Sequence, residues 1–157
     1  MLVYTSTKTD FIENVRTNQI ENLILQEMGR SGLGSPAPNE VASWRNSMQY
    51  MKNLLEHEGV PTDAGVAIEY LIPQTSKRID FVLTGQDKGG QDIALIIELK
   101  QWEHAEATRK DGIVETFVGG THREVLHPSY QAWSYAALLE DFNETIQDDA
   151  IVLRPCS

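Results

Sequence analysis

Residues Asp92–Lys100 read D-I-A-L-I-I-E-L-K, and the fold turns on how this stretch is taken. From Ile93 to Ile97 every side chain is apolar, as in a central strand covered on both faces. Glu98 and Lys100 then follow, two places apart. Side chains at i and i+2 leave a strand on the same face, so both charges project together. A charge at the end of an apolar strand is costly to desolvate unless it is paired or bound to a metal.

Working outward, Arg78–Thr84 (R-I-D-F-V-L-T) is a second apolar strand with Asp80 inside it. The turn-rich G-Q-D-K-G-G between the two suits an antiparallel hairpin. We expect Asp80 opposite Ile96 or Ala94, on the face of Ala94, Ile96, Glu98 and Lys100, with Glu98 a near-diagonal neighbour. A slip of one residue would carry Asp80 to the other face. The pattern favours the first register, because Ile79, Phe81 and Leu83 then join Ile93, Leu95, Ile97 and Leu99 on one apolar face.

Apolar residues at three- and four-residue spacing predict one helix from about Asp10 to Met28. Gly29 closes it, and Gly32, Gly34, Pro36 and Pro38 make a loop. A second helix is predicted from about Asn39, as N-cap, to His57, with Glu40 in its first turn. Val66–Ile72 is a strand ended by Pro73. Ile113–Val118 and Thr121–Leu126 form a pair joined at Gly119-Gly120. Pro128 opens a helix to about Phe142, and Ala150–Leu153 is the last strand. The sum is an α/β fold: a mixed, mainly antiparallel central sheet flanked by helices, with an N-terminal helical extension. Residues 1–35 supply the extension and its loop, packed on the core, and residues 36–157 the main domain. A chain that stops just after a strand, at Arg154-Pro155-Cys156-Ser157, reads as part of a longer protein.

The 157 residues can bury a sizeable core. No run of about eighteen apolar residues exists, so no membrane span is expected. The start lacks the basic region and apolar core of a signal peptide, and the single Cys156 cannot close an internal disulfide. The expected location is the reducing cytoplasm. The formal net charge of −10 argues against a polyanionic partner and allows a plain acidic surface with no such role. Against that, Lys77, Arg78, Lys100, Arg109, Lys110 and Arg123 gather near the candidate chemistry, and bound cations would offset the acids.

Two converging carboxylates repel and stay ionised together only around a cation. Mg²⁺ suits them, being hard and content with one or two carboxylates plus waters. Lys100 could then neutralise charge developing on a phosphate. The plainer reading is an ion pair of Glu98 with Lys100 or Arg78, and another is a metal-free glycosidase using Glu98 and Asp80 as acid and base. Gln131 and Tyr135, four apart after Pro128, share a helix face. Alone they read as one exposed and one core residue.

Asp80, then Glu98-Leu99-Lys100, then Gln131-x-x-x-Tyr135 resembles the PD-(D/E)xK nuclease superfamily in its RecB-type branch. The segments E-Y-L-I-P-Q-T-S-K-R-I-D-F-V-L-T-G, I-I-E-L-K-Q-W and H-P-S-Y-Q-A-W-S-Y, with S-W-R-N-S-M upstream, are similar to the nuclease-like domain that bacterial and phage proteins fuse to a Schlafen-like helicase. The resemblance implies a restriction-endonuclease-like core and a Mg²⁺- or Mn²⁺-dependent nuclease acting on DNA, or on RNA, with a helicase in the same or a partner chain. Phage defence, replication or repair would be its setting. It implies that Asp80, Glu98 and the Leu99 carbonyl hold the metal. Glu40 is the candidate for a further ligand, Glu69 the competitor and Glu56 weaker. Lys100 matches the catalytic lysine. Gln131 and Tyr135 match the supporting helix pair, and Lys77 and Arg78 would assist in nucleic-acid binding. Position 79 is Ile rather than Pro. The alternative within the same resemblance is a catalytically silent module that binds nucleic acid or a partner protein.

His57, His104, His122 and His127 show no metal-ligand spacing; His104 could face the site, but a solvent-exposed histidine is the favoured reading. No G-x-S-x-G elbow and no phosphate-cradling glycine loop is present. Trp44, Trp102 and Trp133 read as structural, with stacking on a base a second role for Trp102.

Overall fold

The computed structural model describes residues 3–157. β1 (Tyr4–Thr7) leads into α1 (Lys8–Arg16), α2 (Ile20–Arg30) and α3 (Pro38–Leu55). β2 (Gly65–Leu71), β3 (Arg78–Gln86) and β4 (Asp92–Ile97) follow as an antiparallel meander. β5 (Ala105–Ala107), β6 (Ile113–Val118) and β7 (Thr121–Leu126) make a separate small sheet. The chain then forms α4 (Pro128–Phe142), α5 (Glu144–Asp148) and β8 (Val152–Cys156).

The main sheet has the order β1-β2-β3-β4-β8 and is antiparallel except where β8 pairs with β4. Parallel neighbours need a crossover, and α4 supplies it. The fold is therefore mixed α/β, a mainly antiparallel sheet flanked by helices. No helix among the described residues is long and apolar enough to cross a membrane.

Each face of the sheet is covered by its own apolar layer. On one, Phe11 of α1, Ile24 of α2 and Met48 and Leu55 of α3 pack with Ile68, Phe81 and Leu83. On the other, Tyr135, Ala136 and Leu139 of α4 pack with Val82, Ala94, Ile96 and Leu153. This two-sided burial is why β4 reads as an unbroken apolar run.

Several expectations need correction. The single helix from Asp10 to Met28 is two, because Asn18 takes φ 53 between α1 and α2. Asn tolerates that left-handed geometry better than most residues. The apolar spacing survives the break because Val15 and Ile20 face the same core. The N-cap of α3 is Ala37, not Asn39, and Pro38 occupies the first turn, where its fixed φ fits and no N–H is needed. β4 ends at Ile97, although the Glu98 N–H still donates to Cys156 O at 3.1 Å. The last strand is Val152–Cys156, not Ala150–Leu153, since Ala150 (φ 51) still belongs to the turn after α5. Pro155 is tolerated because β8 is an edge strand. β1, β5 and α5 were not anticipated.

The β3–β4 register pairs Phe81 with Ile97 and Val82 with Ile96. Continued by one residue, it brings Asp80 level with Glu98, not with Ile96 or Ala94. The expected face is kept, since Val82 and Thr84 pair with Ile96 and Ala94. The continuous apolar face is not: Phe81 packs with the α1–α3 layer, whereas Ile79 packs with α4. Ile68 and Tyr70 of β2 divide the same way. The change of side occurs at Glu69, which has φ 56 and makes no ladder pair. A left-handed residue inside a strand breaks the two-residue alternation.

Phe81 is fully buried and meets Phe11 edge-on at 5.4 Å between ring centroids. Phe81→Ala should destabilise the protein by about 3–5 kcal/mol, read as a lower midpoint in urea unfolding.

Candidate functional site

Where the strands change side, residues from α3, β2, β3, α4 and the segment after β4 surround a cavity of about 420 Å³. Asp80, Glu98, Lys100, Gln131 and Tyr135 all line it. Three separate elements, β3, the segment after β4 and α4, thus deliver side chains that lie up to 55 positions apart in sequence, from Asp80 to Tyr135.

Glu98 is the centre. Its side chain is only 1% exposed. One oxygen, Oε1, accepts from Lys100 Nζ and from Gln131 Nε2, the latter at 2.6 Å. The other, Oε2, is buried with no hydrogen-bond donor. Gln131 Nε2 also donates to the Tyr135 hydroxyl at 2.9 Å, so the helix pair holds Glu98 through its glutamine. Asp80 Oδ2 accepts the Leu99 N–H at 2.8 Å, which fixes Asp80 against the same segment.

Burial pushes the Glu98 carboxyl up to about 7, and the neighbouring Asp80 charge adds to the rise; Lys100 opposes both. Asp80 is also raised, chiefly by burial, against the Leu99 N–H and Lys100, which lower it. Glu98 and Asp80 face one another across the cavity wall, each a charge the other must tolerate.

Glu69 and Glu40 also line the cavity, and both are engaged by one guanidinium. Arg78 reaches Glu69 Oε2 at 2.9 Å and Glu40 Oε1 at 3.0 Å. Glu69 further accepts from Trp44 Nε1 at 2.7 Å, so Trp44 is a donor to the site and not packing alone. Burial raises the Glu69 carboxyl, and Arg78 partly offsets this. Glu56 stands outside the cavity and pairs with Lys52 at 2.9 Å. Lys77 lines the cavity too, its Nζ 5.7 Å from the centre of the Tyr135 ring.

Other expectations separate. His104 does not face the site; it is exposed, lines a different cavity and approaches Glu106 at 3.3 Å. Lys110 pairs with Glu124 on β7, and Arg123 lies on β7 too, so the basic group divides between cavity and small sheet. Trp133 is 54% exposed and lies against the Tyr130 ring at 5.6 Å between centroids, outside the buried layers. Gln101 was not singled out. It donates to Ser43 O at 2.7 Å and Ser47 Oγ at 2.8 Å, joining the segment after Lys100 to α3. The four-residue spacing of Ser43 and Ser47 was the available signal.

Among the described residues no group of three or more His, Cys, Asp and Glu side chains is close enough together to hold a metal ion. What is present is a pair, Asp80 and Glu98, with one buried oxygen lacking a partner. A small hard cation that keeps most of its waters needs no more than one or two carboxylates, so the pair fits Mg²⁺ or Mn²⁺. No family model matches the chain, and no curated protein or solved structure matches it.

The sign of the pH effect follows from the raised carboxyl. Folded Glu98 binds its proton more tightly than an unfolded glutamate at the ordinary 4.5. The stability it contributes is present below that value and lost as pH climbs to about 7. In metal-free buffer the melting temperature should fall across this window. Glu98→Gln should flatten the fall and melt higher than the parent at pH 8. Calorimetry at stepped pH checks both.

Proposed function

We propose that the protein is a metal-dependent nuclease that hydrolyses phosphodiester bonds in DNA, or in RNA, on a restriction-endonuclease-like core. The observation that carries this reading is the buried Glu98 carboxylate. One oxygen is held by Lys100 and Gln131, and the other is left without a donor beside Asp80. Asp80 and Glu98, with the Leu99 carbonyl, would hold Mg²⁺ or Mn²⁺. Such an ion, when bound, polarises a phosphoryl oxygen and acidifies a water. Glu40 or Glu69 would join only if released by Arg78.

The chain's own residues then have separable tasks. Glu98 would hold a cation only without its proton, which would make uptake pH-dependent. Lys100 is 27% exposed at its side chain, so its ammonium reaches both Glu98 and the open cavity. There it orients the attacking water and balances charge as the water oxygen bonds to phosphorus and the bridging P–O bond breaks. Gln131 fixes Glu98, and Tyr135 fixes Gln131. Lys77 and Arg78, at the cavity wall, meet the flanking phosphates. On the family resemblance, a helicase in the same or a partner chain would work with it, in the cytoplasm.

A second reading has its own support. Lys100 is already satisfied by Glu98, and Arg78 occupies both further acids. On that reading the cavity is a closed network of ion pairs, and the module binds nucleic acid or a partner without cutting.

Incubation with single- and double-stranded DNA and RNA, in Mg²⁺, Mn²⁺ or EDTA, separates the two. Strand breakage should require the metal and disappear in Glu98→Ala. Lys100→Ala should still fold, at a lower melting temperature because Glu98 loses its partner, and cleave about 10²–10³-fold more slowly at a temperature where both proteins are folded. Equal cleavage by Lys100→Ala, or breakage that persists in EDTA, would refute the assignment.

A further inference from the structure

The candidate site does not end at Lys100. Ser47, Leu99 and Lys100 are shared with a second, larger cavity of about 970 Å³ between α3 and the segment after β4. Its α3 wall is Asn46, Gln49, Tyr50 and Asn53. These recur at three- and four-residue steps, so they form one stripe along the helix. All four are exposed and none is charged, in a chain of net charge −10. The opposite wall carries Trp102, and the charged side chains of the cavity are Lys100 and Glu103.

A stripe of this kind has no packing purpose. The buried face of α3 is made by Trp44, Met48, Met51 and Leu55. Tyr50 is 76% exposed, a large aromatic ring held in water. The Trp102 wall is pinned: Gln101 spends its amide on Ser43 and Ser47 of α3. That bond sets the segment carrying Trp102 at a fixed height above the helix.

We propose that this groove is the track of a single-stranded nucleic acid, whose unpaired bases stack on Trp102 and Tyr50 while the amides of Asn46, Gln49 and Asn53 bond to base edges. The inference rests on the nuclease reading for its direction, since the track leads to Lys100 and Glu98. Three observations favour a single strand. Two aromatic rings in one groove offer stacking faces, which a duplex has already filled with its own bases. Side-chain amides donate and accept, matching exposed base edges of any sequence. The charged side chains of the groove are Lys100, paired with Glu98, and Glu103, so stacking and base-edge contacts carry the binding. The duplex backbone, by contrast, asks for a broad basic face, and Lys110, which could have contributed to one, is paired with Glu124.

Fluorescence anisotropy with labelled oligomers of about 12 nucleotides tests this, using the whole chain in Ca²⁺ buffer. Single-stranded DNA or RNA should bind at least about tenfold tighter than the matching duplex, and the two sugars are read in separate arms. Tyr50→Ala and Trp102→Ala should each weaken single-strand binding by about 5–150-fold, the range of one lost base stack. Trp102→Phe, which keeps a stacking face, should restore most of it. The melting temperature of Tyr50→Ala should match the parent, because the ring is exposed. Three outcomes would overturn the inference: no single-strand binding, tighter binding of duplex, or parental affinity in both alanine variants. Single-strand binding lost in those variants, with no strand breakage in Mg²⁺, would uphold the track and sink the nuclease reading alone.

Discussion

A carboxylate with almost no access to water organises this molecule. Glu98 is placed by a strand whose neighbours bury both its faces, and burial alone would neutralise it. Lys100 and Gln131 oppose that by holding one oxygen, and Asp80 reinforces it from across the hairpin. The rest of the site can be read as the means of keeping this balance. Tyr135 fixes Gln131, the Leu99 N–H fixes Asp80, and Arg78 gathers the two outer acids away from the centre. Four like charges around one cavity would otherwise drive it open.

The backbone shares in this arrangement. Glu69 sits at φ 56 within β2, a conformation that a glutamate adopts only at a cost of about 1–3 kcal/mol. Its side chain is thereby turned to Trp44 and Arg78, and the strands change which layer they serve. Strain here coincides with the cavity and is found at no other residue of the main sheet's strands among those described. The layers on either side remain ordinary close-packed apolar cores.

The sequence made the strands β2, β3 and β4, the β6–β7 hairpin and α4 legible because their periodicity and turn residues are local signals. Asp80, Glu98, Lys100, Gln131 and Tyr135 could be gathered into one site from motif order and face, and all five line one cavity. What escaped was non-local. The Asp80 offset depends on the hairpin's length, and Arg78's grip on Glu40 and Glu69 joins residues 38 and 9 positions away from it. The break at Asn18 was hidden because both helices turn the same face inward. β1 has four residues and no alternation to betray it, and only its pairing with β2 makes it a strand.

β8 carries one more implication. It is the last strand of the described chain, yet its Cys156 carbonyl takes the Glu98 N–H. During synthesis every acid, lysine and amide around Glu98 leaves the ribosome before the strand that anchors it. The backbone partner of Glu98 is therefore the last part of the site to be synthesised.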